Sequence, residues 1–279
     1  MDAETPATVR PCDLCGSVEH FILPEAALHG SGGVSVCANC GFVHVKARRS
    51  AAEIAKSWEA IYEGKGYTSK WAAVEARLTY VAEFYGQLYG WAGKSVLELG
   101  AGEGRFLQMV RDRGAYPVGL EPSGAGCQAL RSKDIFAHHG TIEQCGTVGT
   151  FDVVVIAWTL ENCQDCLGML KAARAMLLPG GHVLIATGSR ILVPYKKPIS
   201  TYFSNNPPDC HAFRFSNNTL TLAQRRSGLE VVAMNSYREN DWLVSVATRT
   251  ESAFPATAYG GDRPLEVLDF FHSWARAFP

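Results

Sequence analysis

Branched apolar residues recur in short runs from Lys94 onward: Ser95-Val-Leu-Glu-Leu99, Pro117-Val-Gly-Leu120, Asp152-Val-Val-Val-Ile-Ala157 and His182-Val-Leu-Ile-Ala186. Such runs suit parallel strands buried on both faces. Amphipathic stretches at 105–112 and 165–177 lie between them, and this alternation predicts an α/β domain. The last two apolar runs, 229–234 and 242–248, flank a short polar turn. They predict a hairpin, and therefore an antiparallel end to the sheet. Upstream, 51–58 and 70–89 read as helices, with a loop signal at Glu63-Gly-Lys-Gly66 between them. The tail from Glu251 to Pro279 carries aromatic residues without a readable pattern.

Composition narrows the class. The chain has 279 residues, 47% hydrophobic and 19% charged, ordinary values for a globular protein with a sizeable core. A formal net charge of -1 offers no basic stripe for nucleic acid. No apolar stretch approaches the roughly 18 to 20 residues of a membrane span, and 1–10 has no secretory pattern. Nine cysteines, an odd number in a large chain, argue against a disulfide framework and for a reducing cytoplasmic setting.

The segment richest in chemistry is Val96-Leu-Glu-Leu-Gly-Ala-Gly-Glu-Gly-Arg-Phe106. A strand runs into a Gly-rich turn and a helix follows. The glycines let the backbone approach a ligand, and the amides of the helix start favour an anionic group. Glu98 sits at the strand end, and Glu121 ends the next apolar run, where an acid reaches ribose hydroxyls in a βαβ unit. Glu98 would repel a pyrophosphate but suits a ligand with a free ammonium group.

These residues resemble motif I of class I S-adenosylmethionine (SAM)-dependent methyltransferases, with the pattern (Asp/Glu)-x-Gly-x-Gly-x-Gly. Further segments follow in the same order: Gly140-Thr-Ile-Glu143, Phe151-Asp152, Trp158-Thr-Leu-Glu-Asn-Cys163 and Leu178-Pro-Gly-Gly-His-Val-Leu184. The likeness covers roughly residues 60 to 248. It implies a Rossmann-like seven-stranded sheet with a reversed last strand, and SAM as cofactor. The cofactor-binding set it implies is Tyr67, Glu98, Gly100, Ala101, Gly102, Gly104, Glu121, Pro122, Thr141, Ile142 and Trp158. Asn162 stands where relatives often carry histidine, a departure that weakens any catalytic role there.

Cys12-Asp-Leu-Cys15 and Cys37-Ala-Asn-Cys40 form two CxxC knuckles, each followed by glycine. Four thiolates at this spacing close a tetrahedral zinc site in a module too short for a core of its own. A third pair, Cys163 and Cys166, reads as reduced cysteines near the active-site rim, and Cys127, Cys145 and Cys210 read as packing residues.

The expected organisation is a zinc ribbon over 1–48, a helical lead-in or lid over 49–92, and a SAM-binding domain over 93–250. An acceptor-loop insert falls at about 188–216, and 251–279 is a tail. His211 is the candidate general base, because imidazole titrates near neutral pH. Tyr195, Tyr202 and Arg214 are candidate acceptor contacts. The ribbon together with this core resembles bacterial methyltransferases of sugars, nucleotide-linked sugars or natural-product intermediates. The longer substrate domain of the sugar C-methyltransferases is not found. A small-molecule acceptor is therefore the leading reading, and a homodimer stays open. Two alternatives remain: a ribosomal RNA methyltransferase, disfavoured because no Lys or Arg lies between the outer ribbon cysteines, and a non-catalytic SAM-binding scaffold.

Overall fold

The computed structural model describes residues 10–28, 33–45, 48–64, 71–194, 198–203, 211–238, 242–251 and 260–278. Three short antiparallel strands come first: β1 (His20–Ile22), β2 (Val34–Cys37) and β3 (Val43–Val45), with α1 (Pro24–Leu28) between β1 and β2. Then follow α2 (Ala51–Glu63) and α3 (Trp71–Tyr89). A reciprocal cap starts α2: the Ser50 hydroxyl accepts from the Glu53 amide, and the Glu53 carboxylate accepts from the Ser50 amide at 2.7 Å.

The apolar runs form the large sheet. β4 (Ser95–Leu99), β5 (Tyr116–Glu121), β6 (Phe136–His139), β7 (Phe151–Ala157) and β8 (Leu177–Thr187) are parallel. Helices α4 (Arg105–Arg111), α5 (Gly124–Arg131), α6 (Ile142–Cys145) and α7 (Cys166–Ala175) connect them. The hairpin of β10 (Leu229–Met234) and β11 (Leu243–Arg249) closes the sheet, with β11 antiparallel to β8. The seven-strand order is β10-β11-β8-β7-β4-β5-β6, which is the expected sheet with its last strand reversed. Val96, Leu97, Val154, Val155, Leu184 and Ile185 are fully buried, so both faces are covered. Each such side chain contributes about 1.5–3 kcal/mol.

After β8 the chain runs through α8 (Ile199–Tyr202) and β9 (Phe213–Arg214) before α9 (Asn217–Arg226), which is capped by the Ser216 hydroxyl. β9 does not join the large sheet. It pairs with β3, Val43 against Arg214 and His44 against Phe213, and completes a four-stranded sheet β1-β2-β3-β9. The C-terminal segment, unreadable as pattern, forms α10 (Pro264–Ala277) and packs on β2 and α1. Leu23, Val36 and Val43 share one apolar core with Phe203, Phe271 and Trp274. The N-terminal module, the insert and the C-terminal helix thus build one accessory core. The Asp262 amide donates to the Cys40 carbonyl at 3.0 Å. Gly261 permits that approach, since a Cβ there would lie 2.6 Å from the same oxygen. No helix of the described residues is long and apolar enough to cross a membrane.

Candidate active site

β4 and β7 are neighbours at the point where strand order reverses, the crevice where open α/β sheets hold ligands. The chain leaves β4 through Gly100 to Gly104 at its carboxyl end. Gly102 has φ +55°, a backbone conformation that favours glycine, and a Cβ on it would sit 2.7 Å from the Tyr62 hydroxyl oxygen. Its amide donates to Glu121 Oε2 at 2.7 Å, and the Ser123 amide donates to Oε1 at 2.9 Å. Burial pushes the Glu121 carboxyl up, the two amides pull it back, and its pKa settles at about 7. Glu98 is buried beside it. Burial, and then the charge of Glu121, hold the Glu98 carboxyl well above the usual range. Its Oε2 is buried with no hydrogen-bond partner, a costly state unless a donor is supplied from outside the protein.

A cavity opens over this turn. Pro122, Thr141 and Ile142 form one part of its wall, Ala101 and Trp158 another. Trp158 has φ +54°, a strained conformation for a bulky residue, held by the bond from its amide to the Ala186 carbonyl at 2.7 Å. The Arg77 guanidinium stacks 4.4 Å from the centroid of its ring. Next along the wall, the Asn162 amide nitrogen donates to the Trp158 carbonyl at 3.2 Å, while its buried Oδ1 has no partner.

Helix α2 covers the cavity. Ala51, Ile54, Trp58 and Tyr62 form its apolar stripe, all half-buried, and they line the cavity rather than a packed core. Trp58 and Tyr62 stack with centroids 5.7 Å apart. The Glu59 carboxylate accepts from the Ala125 amide at 3.2 Å, which fastens α2 to the first turn of α5.

Glu98, Gly100, Ala101, Gly102, Glu121, Pro122, Thr141, Ile142 and Trp158 therefore converge on one cavity. The other expected site residues among those described lie elsewhere. Gly104 sits behind the wall, where a Cβ would lie 2.4 Å from Leu130 Cδ2; it permits the packing of α4 on α5. His211 is not on the wall formed by the described residues; its Nδ1 meets the Ser189 hydroxyl. Tyr202 is buried in the accessory core, its hydroxyl donating to the Ser189 carbonyl at 3.3 Å. Arg214 is buried there too, its guanidinium 4.6 Å from the Phe203 centroid and 5.2 Å from that of Tyr202. Neither is on the cavity wall formed by the described residues. Tyr67 and Tyr195 lie outside the described residues.

The sulfurs of Cys12, Cys15, Cys37 and Cys40 lie within 4.8 Å of one another, with Cys12 to Cys40 at 3.7 Å and Cys15 to Cys37 at 3.4 Å. A tetrahedral zinc–thiolate site needs sulfurs about 3.8 Å apart. The Gly16 and Gly41 amides close the two knuckles onto the Cys12 and Cys37 carbonyls, at 2.8 and 3.0 Å. Among the described residues no other metal-competent cluster of three or more such groups occurs. Cys163 and Cys166 are buried, and burial holds both thiols well above their usual range, so neither is a ready nucleophile.

The profile of the methyltransferase-domain family matches residues 74–234, more than half of the chain. The chain belongs to the methyltransferase-domain family. Among curated relatives, the ubiquinone biosynthesis O-methyltransferase of Vibrio parahaemolyticus is 32% identical over 127 residues, covering 43% of this chain and 53% of that protein. The protein of the same name from Aliivibrio fischeri (strain MJ11) is 34% identical over 127 residues, with the same coverage. The chain spans about half the length of these curated relatives. Among solved structures, the Burkholderia thailandensis 1,6-didemethyltoxoflavin-N1-methyltransferase, with 1,6-didemethyltoxoflavin and S-adenosylhomocysteine bound, has a TM-score of 0.56 at 16% identity, covering 75% of this chain and 95% of that one. The complex of the Haloferax volcanii Trm112 methyltransferase activator with a putative methyltransferase gives 0.55 at 18% identity, with 70% and 98% covered. At such identities these structures show the shared fold.

Within this methyltransferase-domain protein, the residues missed from sequence are mainly those of α2 and α3: Ile54, Trp58, Tyr62 and Arg77. The signal for the first three was present as apolar residues spaced by four, which marks one helix face. Arg77 gave no signal, because a single cation in an amphipathic helix reads as solvated surface.

Proposed function

We propose that this chain is a SAM-dependent methyltransferase acting on a small molecule. The observation that carries the reading is the pair of buried acids at the Gly-rich turn. Glu98 lines the cavity and carries a buried oxygen with no hydrogen-bond partner, and Glu121 is set beside it on two backbone amides. Glu98 suits an ammonium group, Glu121 the hydroxyls of a ribose, and Arg77 a carboxylate; together they match the methionine and ribose parts of SAM. Bound SAM supplies a methyl group on a sulfonium. The chain's part is to align and to exclude water, with α2 as the cover and Trp158 as the wall toward the acceptor. Asn162 Oδ1 accepts a hydrogen bond from an acceptor O–H or N–H but cannot take its proton. The O- and N-methyltransferase names among the relatives support a small-molecule acceptor. We also propose that the four-cysteine cluster holds a structural zinc ion, which its sulfur spacing fits.

The test is calorimetric titration with SAM and S-adenosylhomocysteine. Micromolar binding is the expected result. No heat and no thermal shift with either ligand overturns the reading and moves a scaffold role forward.

Two further outcomes follow from the acids. In the ligand-free protein burial, and then the charge of Glu121, shift the Glu98 carboxyl toward its neutral form. Glu98→Gln mimics that state, so thermal stability should stay within about 2 °C while S-adenosylhomocysteine affinity falls about tenfold. Equal loss of both would refute this assignment. For Glu121, ligand contact favours the carboxylate, whereas the ligand-free group titrates at about 7. Binding must then release a proton below that pH. Affinity should rise from pH 6 to 8 and flatten above, and calorimetry in buffers of different ionisation heat should detect the proton. The ligand-free fold has the opposite dependence. A folded pKa raised above the ordinary value contributes stability at low pH that is lost as pH rises through about 7.

A further inference from the structure

The rim of the cavity at Asn162 to Gln164 is tied to the cysteine module by one side chain. Arg48 follows β3, and its side chain is 2% exposed although it carries a full charge. Its two terminal nitrogens form a fork on the carboxylate of Asp13, the residue between Cys12 and Leu14, with one bond at 2.7 Å. One of them also donates to the Gln164 carbonyl at 3.2 Å, while Nε donates to the Val45 carbonyl at 3.3 Å. The guanidinium plane lies 4.2 Å from the centroid of Phe213 in β9. Knuckle, sheet, insert and cavity rim thus meet at one cation. A parallel tie runs through the backbone, where the Ala212 and Phe213 amides donate to the Glu161 carbonyl at 2.7 and 3.2 Å. Glu161 directly precedes Asn162 on the cavity wall. The Gly-rich turn, by contrast, is anchored on Glu121 within the large sheet; none of the hydrogen bonds just described reaches it, and it meets this segment through the packing of Gly100 on the Thr159 side chain.

We propose that Arg48 is a positioning residue that couples the metal state of the four-cysteine cluster to the acceptor-side rim, leaving the cofactor half of the cavity unaffected. The naming of the two halves rests on the methyltransferase reading. A buried guanidinium is a discriminating choice here, because lysine offers neither the fork nor a plane to lay on Phe213.

The experiment is hydrogen exchange by mass spectrometry on the full chain, with zinc content and S-adenosylhomocysteine affinity measured on the same samples. The variants are Asp13→Asn with Arg48→Met, which removes both charges so that neither is left buried alone, and Arg48→Lys. The double variant should keep one zinc per chain and bind S-adenosylhomocysteine within twofold of wild type. Its peptides over 160–166 should lose protection about tenfold. Removing zinc from the wild type with a chelator should produce the same loss over 160–166. Removing it from the double variant should add less than about twofold there, even as the strands of the module open. Arg48→Lys should fall between the two and carries the same comparison if the double variant does not fold. Unchanged protection at 160–166 after chelation of the wild type, or losses that simply add, overturns the coupling. Failure of every sample to bind S-adenosylhomocysteine instead strikes the methyltransferase reading and leaves the measured coupling as it stands.

Discussion

The Glu121→Ala variant is expected to bind S-adenosylhomocysteine at least about tenfold more weakly than the wild type, a loss of about 1.4 kcal/mol. Two effects act together. The carboxylate that would accept from ribose hydroxyls disappears, and a charge-assisted hydrogen bond contributes roughly 1.5–3 kcal/mol. The Gly102 and Ser123 amides also lose their common acceptor, so the turn under the cofactor loses its anchor. Glu121→Gln separates the two effects. Its single carbonyl oxygen can accept from one amide but no longer from both through separate oxygens, so an intermediate affinity is expected. Calorimetric titration of the three proteins reads the order directly. An affinity for the alanine variant within twofold of wild type would remove Glu121 from the site.

Much of the fold, and the clustering of the candidate site residues around one cavity, was legible in the sequence, and the reasons are physical. The central parts of β4, β7 and β8 are buried on both faces, so they read as short apolar-rich runs, and the buried end of β5 reads the same way. β6 was not foreseen: only Ala137 of Phe136-Ala-His-His is buried, because an edge strand has little to hide. The Gly-rich turn and its acids were readable because their chemistry requires those residue types at that spacing. Tyr202 and Arg214 were read as acceptor contacts because aromatic and cationic residues in a long loop resemble a binding surface. The fold instead uses them as core, Arg214 lying against the rings of Tyr202 and Phe203. Helix α10, whose segment gave no readable pattern, buries Val267, Phe271 and Trp274 and has Pro264 at its start. Its partner lies more than two hundred residues away in the cysteine module, and no local pattern reveals such a pairing. The same holds for β9, two residues long and paired with β3 across about 170 residues.

That distant pairing makes loss of the proposed zinc the most consequential change available. The Cys37→Ser variant is expected to lose the proposed zinc and the order of the whole accessory core, while the large sheet stays folded. Cys37 is fully buried at the end of β2, opposite His20 of β1, with its sulfur against that of Cys15. A serine hydroxyl is a poor ligand in place of a thiolate, and a three-thiolate site binds zinc far more weakly. Structural zinc contributes about 10–16 kcal/mol in small modules at neutral pH, as much as the whole stability of an ordinary domain. Strands of three or four residues cannot replace that through apolar burial. The loss should therefore extend beyond the cysteines. β3 would no longer template β9, and α10 would lose the face formed by Val34 and Val36. Hydrogen exchange should show protection collapsing over 20–45 and 264–277 and persisting over β4, β7 and β8. Zinc content falls below one tenth of an equivalent per chain in that outcome. A variant that keeps one zinc and full protection over 264–277 would show that the accessory core stands without the metal. The cysteines would then need a different explanation.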